Sequence, residues 1–387
     1  MCIKDRTSNE KFWKSIRDMY TVCDDFINLN NGGVSPHPKV VREAARSYTE
    51  FANTLPSYNL WQVQEKSRES IRELLANMLG CPTETLAINR NATEGLETVI
   101  FGLNLKIGDE VVLSDYEYPS VKNAWLQRAK RDGIKLKWIK LDLPSEDTPA
   151  LIEQYKQQVS SNTKVLQLTH LINWNGQLMP VKEIADAVHR DDLEIIVDAA
   201  HSFAQINYKI TDWKIDYLCA SLHKWLCASL GTGILYVKKD KIKALYPMFA
   251  SPAHELAQIQ KFEHFGTRSL SAELSIADAI AFHDKIGTDR KQKRLYYLKN
   301  HLYKKLSKKE GLHFFTPASA DFSGALLSFR LEGKKNILVA HDLYKNHNIH
   351  VGIVGLNGMN AIRVSPNVYT LKSDLNKFIK VIDQLIS

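Results

Sequence analysis

Apolar residues recur along this chain with two periods, and the switches between them mark out its elements. Residues 1–26 read as a peripheral helix with Phe12, Trp13, Ile16 and Met19 on one face. Residues 39–53 carry a helical stripe of Val40, Val41, Ala44, Ala45, Tyr48 and Phe51, and residues 61–79 carry another of Val63, Ile71, Leu74, Leu75 and Met78. From Leu86 onward short apolar runs alternate with helical stretches. Strands are expected at 86–88, 111–114, 135–139, 165–170, 194–198 and from Tyr217. Helices are expected after Asn91 and over 120–130, 149–159 and 180–189. This alternation implies a largely parallel sheet covered by helices on both faces. Ile234-Leu235-Tyr236-Val237 reads as a returning strand. A helix is expected over 272–286. Beyond about residue 285 the texture changes to a basic helix, a strand at 324–330, a helix near 336–347 and apolar runs at 349–353 and 361–365. Three parts are predicted: an N-terminal helical segment, 1–25, that packs with the small domain; a large α/β domain, 26–284; and a small C-terminal α+β domain, 285–387.

In open parallel sheets ligands bind at the carboxyl ends of the strands, and the polar clusters of this chain fall there. After strand 86–88, Asn91 and Glu94 are spaced as a capping box. A helix N-terminus follows, with free N–H groups and a small residue, Ala92, for close approach. Such a terminus either is simply capped or binds an anion, phosphate above all. Tyr118, Asn173, Asp198 with His201, and Ser221-Leu222-His223-Lys224 end successive strands. Lys224 is either a solvated residue on a surfacing strand or an amine held at a protein-tuned pKa and able to attack a carbonyl. Earlier, Asn30-Asn31-Gly32-Gly33 forms a tight turn. Its amides either close the turn or meet a ligand, and Asn31 is taken as a candidate substrate contact.

Composition narrows the class. The 387 residues, 44% hydrophobic, suffice for a large core in two domains. No run of about 18 apolar residues indicates a membrane span, and the charged start, Met1 to Arg6, lacks the apolar core of a signal peptide. Five cysteines without a CxxC pair fit reduced thiols in a cytoplasmic protein. Much of the net charge of +8 lies between Arg290 and Lys309, where Leu295, Leu298, Leu302 and Leu306 recur at helical spacing. An amphipathic helix with a solvated basic face accounts for this, and no nucleic-acid motif accompanies it. No G-x-G-x-x-G turn follows an early strand, which argues against a dinucleotide-dependent dehydrogenase.

A single ligand would use the strand-end groups together. A phosphate would take Ala92 and Thr93, with Ser221 and His223 opposite. A flat ring would suit Tyr118, a charged partner the buried carboxylate of Asp198, and an aldehyde Lys224. Pyridoxal 5′-phosphate has all four features, and an acid beside its ring nitrogen makes the ring an electron sink. Asn91-Ala92-Thr93-Glu94, Asp198-Ala199-Ala200-His201 and Ser221-Leu222-His223-Lys224, in this order and spacing, resemble the class V aminotransferase family. Leu29-Asn30-Asn31-Gly32 and Gly266-Thr267-Arg268-Ser269-Leu270-Ser271 point to its isopenicillin N epimerase-like branch.

The resemblance implies the fold of aspartate aminotransferase-like pyridoxal-phosphate enzymes, a mainly parallel sheet sandwiched by helices plus a smaller α+β domain. It implies that Lys224 carries the Schiff base and shuttles the α-proton, that Asp198 pairs with the pyridine nitrogen, and that His201 lies near the ring's phenolic oxygen. Tyr118 matches the position stacked on the cofactor, and Asn173 an asparagine near the same oxygen or the substrate. Thr267 would reach a phosphate in a neighbouring subunit, so a homodimer is implied. Arg363 would grip the substrate α-carboxylate. The expected substrate is an amino acid or amine, and the expected reaction transamination or epimerisation. Residues 330–362 contain no cysteine where desulfurases of this family carry their nucleophile. A C–S lyase that needs no such thiol is the alternative, and an inactive binding protein of the same fold a more distant one.

Overall fold

The computed structural model describes residues 6–386. The reading of the first residues as lacking a signal peptide, and Cys2, lie outside them. Thirteen strands form among the described residues: β1 (Ile27–Asn28), β2 (Leu86–Asn89), β3 (Glu110–Ser114), β4 (Lys135–Ile139), β5 (Thr163–Thr169), β6 (Glu194–Asp198), β7 (Tyr217–Ser221), β8 (Gly233–Val237), β9 (Leu312–Phe314), β10 (Leu327–Leu331), β11 (Ile349–His350), β12 (Gly352–Val354) and β13 (Ala361–Val364). β2 to β8 make a seven-stranded sheet in the order β2-β8-β7-β6-β5-β3-β4. Its strands are near-continuous apolar runs because helices cover both faces, and every residue of β2 and β7 is buried. β8 alone runs antiparallel to its neighbours, β7 and β2. It enters the sheet through Gly233, where a Cβ would stand 2.4 Å from Asn89 Oδ1 and 2.6 Å from Asn91 Cα. The missing side chain lets β8 close against the turn that starts the helix Ala92–Gly102.

The second sheet is antiparallel, in the order β12-β13-β10-β9. The helices Thr288–Leu306, Asn336–His347 and Lys372–Ile386 pack on it through Leu298, Leu302, Leu343, Phe378 and Ile382. β9 and the final helix are elements the sequence reading does not contain. β1 pairs in parallel with β11, tying the start of the chain to its last third. The N-terminal helix is short, Glu10–Arg17, capped by Asn9 and seated through Trp13 and Ile16. Arg17 binds Asp374 of the final helix at 2.9 Å.

Three expectations change. In the helix Lys39–Thr54 only Val41 of the apolar stripe is buried, and Val40 and Phe51 are exposed. The stripe at 61–79 begins in a wide π-helical turn, Asn59–Gln64, which turns Trp61 and Val63 outward before the α-helix Glu65–Leu79. The basic helix is also not a solvated face throughout, because Lys291, Arg294 and Lys299 are buried. Their long arms reach acceptors instead: Lys291 Nζ donates to the Trp225 carbonyl, Arg294 to the Thr370 carbonyl and Glu10, and Lys299 to Ser323 Oγ. No helix among the described residues is long and apolar enough to cross a membrane.

Candidate active site

The carboxyl ends of β2, β3, β5, β6 and β7 open on a cavity of about 440 Å³. Ala92, Thr93, Tyr118, Asn173, Asp198, His201, Ser221, His223, Lys224 and Arg363 all line it. Sequence-distant residues meet here because each strand delivers its polar end to the same edge.

At one end of the cavity the helix Ala92–Gly102 presents its N-terminus. Asn91 caps it by accepting from Glu94 N–H at 2.9 Å. Ala92 N–H donates to Ser221 Oγ at 3.0 Å, and Thr93 Oγ1 lies 3.3 Å from Ser120 Oγ. His223 adds an imidazole ring to the lining at this end. The cluster is therefore rich in donors and contains no carboxylate of its own, which suits an anion.

At the other end stand Asp198 and Lys224. Asp198 closes β6, and its carboxylate accepts from Ala200 N–H at 2.8 Å. Burial raises its pKa, against the opposing pull of that N–H and of the Lys224 charge. Lys224 is pushed down to about 8 by burial, with Asp198 raising and Arg363 lowering it. Its Nζ lies 3.0 Å from His201 Nε2 and 5.9 Å from the centre of the Tyr118 ring. Burial, with the Lys224 and Arg363 charges, holds His201 well below the usual imidazole range. Its Nδ1 is left buried and unpartnered. Across the cavity, Arg363 on β13 donates from Nη1 to the Asn173 carbonyl at 2.8 Å and from Nη2 to Asn30 Oδ1 at 3.0 Å, while its buried Nε has no partner among the described residues. The second sheet thus supplies one guanidinium to a site otherwise built on the first.

Two candidates are not brought to this cavity. The Asn31 side chain is fully buried and held by the Ser365 carbonyl at 2.9 Å and by Tyr369 OH at 2.5 Å, so it fixes the turn. Its neighbour Asn30 takes the place beside Arg363. Thr267 is exposed, outside the cavity of its own chain. The adjacent Arg268 binds Glu273 at 2.8 Å.

Sequence reasoning missed Trp174, Thr169 and Glu117, and took Asn31 over Asn30. Glu117 is fully buried, with no cation paired to it among the described residues. Ser114 Oγ donates to its Oε1 at 2.9 Å, and Thr169 Oγ1 lies 2.6 Å from Oε2. Thr169 lines the cavity and pairs in register with Asp198. Burial pushes the Glu117 pKa up to about 8, helped by the Asp198 charge and opposed by the two hydroxyls. The folded chain therefore keeps a proton that the unfolded chain gives up near pH 4.5. Between those two values stability falls as pH rises, by at most about 1.4 kcal/mol per pH unit. Glu117→Gln removes that slope. In thermal melts at pH 5.5 and 8 the variant is expected to lose less stability than the wild type, and equal losses would show Glu117 ionised in the fold.

The residues present fit pyridoxal phosphate: a donor-rich anion cradle, a buried carboxylate for a basic nitrogen, a half-buried amine of lowered pKa, and polar atoms of His201 and Arg363 without a partner among the described residues. The chain matches the pattern of the Aminotransferase class-V family over residues 27–378. It is 24% identical over 391 residues to the isopenicillin N epimerase of Streptomyces clavuligerus, covering 96% of this chain and 98% of that one. It is 28% identical over 335 residues to the cysteine desulfurase of Haloferax volcanii, covering 82% and 76%. Among solved structures, the cystine C–S lyase C-DES with its reaction product cysteine persulfide superposes with a TM-score of 0.84 at 21% identity, covering 93% of this chain and 97% of that one. The apo cysteine desulfurase of Thermococcus onnurineus does so with a TM-score of 0.84 at 22% identity, covering 96% and 97%. The fold is that of these enzymes, and the match over nearly the whole chain places it in the class-V aminotransferase family of pyridoxal-phosphate-dependent enzymes.

Proposed function

We propose that this chain is a pyridoxal-phosphate enzyme that moves the Cα proton of an amino acid, as an aminotransferase or an isopenicillin N epimerase-like epimerase. The observation that carries the reading is the convergence of Lys224, Asp198 and Arg363 on one cavity. Ala92, Thr93, Ser221 and His223 would hold the phosphate, Asp198 the ring nitrogen, Tyr118 the ring face, and His201 and Asn173 its substituent oxygen. When bound, the cofactor supplies a ring that draws electrons from Cα. Arg363, which lines the cavity, fixes the substrate carboxylate and so orients the amino acid toward Lys224. The Lys224 amine, held near neutrality, takes the α-proton and returns it. Tyr118, Trp174 and Gly32 wall the cavity and limit water at that step.

A C–S lyase is the second reading, favoured by the shape shared with C-DES. A persulfide-forming desulfurase is disfavoured, because no cysteine lines the cavity among the described residues. We also propose a homodimer in which Thr267 reaches the partner's phosphate site. Its support is that Thr267 is exposed and that Phe51, Leu55, Tyr58 and Trp61 leave an apolar surface uncovered on one copy. The division at 26–284 and 285–387 is proposed on the two separate sheets.

The test is proton exchange. The protein with added pyridoxal phosphate is incubated in D₂O with single amino acids, and loss of the Cα–H signal is followed by NMR. At least one amino acid is expected to exchange, with keto-acid formation marking a transaminase, racemisation an epimerase and pyruvate release a lyase. No exchange with any amino acid, and no cofactor absorbance retained after dialysis, would overturn the reading.

A further inference from the structure

Arg363, Asn30 and His350 form a chain of hydrogen bonds whose polarity is set by its first member. A guanidinium has only donors. Arg363 Nη2 lies 3.0 Å from the Asn30 amide, so the atom facing it is Oδ1. The other end of that amide, Nδ2, faces His350 Nε2 at 3.1 Å. An amide nitrogen donates, so Nε2 accepts, and the ring is neutral with its hydrogen on Nδ1. Both neighbours of Asn30 therefore depend on which way its amide points.

We propose that His350, acting through Asn30, is a positioning residue for Arg363. The neutral ring locks the amide with its oxygen toward the guanidinium. A proton at Nε2 reverses the amide, points Nδ2 at Arg363, and withdraws an acceptor from it. The inference rests on the reading of Arg363 as the carboxylate site and adds a control on when that site is set.

The backbone holds the three residues together. β11 pairs with β1 in the register Asn28↔His350, and Leu29 N–H donates to the His350 carbonyl at 2.8 Å. Two residues on, a Cβ at Gly352 would stand 2.9 Å from Asn30 Oδ1 and 3.2 Å from Arg363 Nε. Glycine at the start of β12 lets this segment lie close to the Asn30 amide and the guanidinium. The groups facing the ring are Tyr344, edge-on at 5.9 Å from the helix Asn336–His347, and Arg363 of β13 across Asn30. Burial lowers the His350 pKa from the usual imidazole value, so the locked state holds at neutral pH and is lost on acidification. Loss of one charge-assisted contact on Arg363 corresponds to roughly tenfold weaker carboxylate binding.

The test is ¹⁵N NMR of the intact protein, with the His350 ring and the Arg363 side chain assigned by substitution. The expected result at pH 7.5 is an unprotonated Nε2 and a protonated Nδ1 on His350. On acidification the Arg363 Nε–H resonance shifts with the same midpoint as the ring. In His350→Gln that shift is absent and Arg363 keeps its neutral-pH position, because glutamine offers an acceptor that does not titrate. In Asn30→Ala the ring titrates and Arg363 does not follow. A protonated Nε2 at pH 7.5, or an Arg363 resonance that ignores the His350 titration in the wild type, would overturn the proposal. No amino acid is added, so the result is independent of whether a carboxylate occupies Arg363.

Discussion

Lys224→Ala is expected to lower turnover by about 10²- to 10⁴-fold, the loss typical of removing a positioned proton-transfer group. Its bound cofactor is expected to lose the absorbance that borohydride can reduce in the wild type. The fold should survive, because the amine sits in a site that burial makes costly for its charge and that pushes its pKa down to about 8. A thermal melt at or above the wild-type temperature therefore accompanies the lost activity. An active Lys224→Ala protein, or one that keeps the reducible band, would remove Lys224 from the chemistry.

Asp198→Asn carries the second large effect. The substitution keeps an oxygen for the Ala200 N–H and removes only the charge. Turnover is expected to fall by about 10²- to 10³-fold, the usual cost of deleting one preorganised electrostatic group. The charge also supports the neighbouring amine, since Asp198 raises the Lys224 pKa while burial and Arg363 lower it. In the cofactor-free variant Lys224 should titrate at a lower pH than in the wild type, as followed by ¹⁵N NMR of the labelled lysine. An unchanged lysine titration would place the two groups further apart electrostatically than the cavity implies.

Most of the site was legible because parallel strands buried on both faces are unbroken apolar runs, against which a terminal Asp198 or a Ser221-Leu222-His223-Lys224 cluster stands out. The parts that were not legible share one cause: position in the chain does not fix which way a side chain turns. Asn30 and Asn31 are identical and adjacent, and only the pairing of this turn with Ser365 decides that Asn31 faces inward and Asn30 meets Arg363. Glu117 looks like a loop carboxylate in sequence. Its burial depends on hydroxyls of Ser114 and Thr169, the second of which lies on another strand. Lys291, Arg294 and Lys299 look like a wet surface by charge alone, yet each meets an acceptor supplied by a distant part of the chain. The stripe of the helix Lys39–Thr54 predicted a helix correctly and its inward face wrongly, because an apolar residue left at the surface obeys the same period as one in the core.

The buried Lys291 has a mechanical consequence. Its Nζ holds the Trp225 carbonyl, one residue after Lys224, and Cys227 Sγ lies 3.6 Å from the Lys224 carbonyl. The same helix grips the chain's beginning and end, through Arg294 to Glu10 and to the Thr370 carbonyl. The loop that carries Lys224 and the helix Thr288–Leu306 are therefore splined together like a shaft and its hub. Any swing that opened or shut the cavity by moving that helix would carry the Lys224 backbone with it, so the pivot for such a swing has to lie in segments outside this joint.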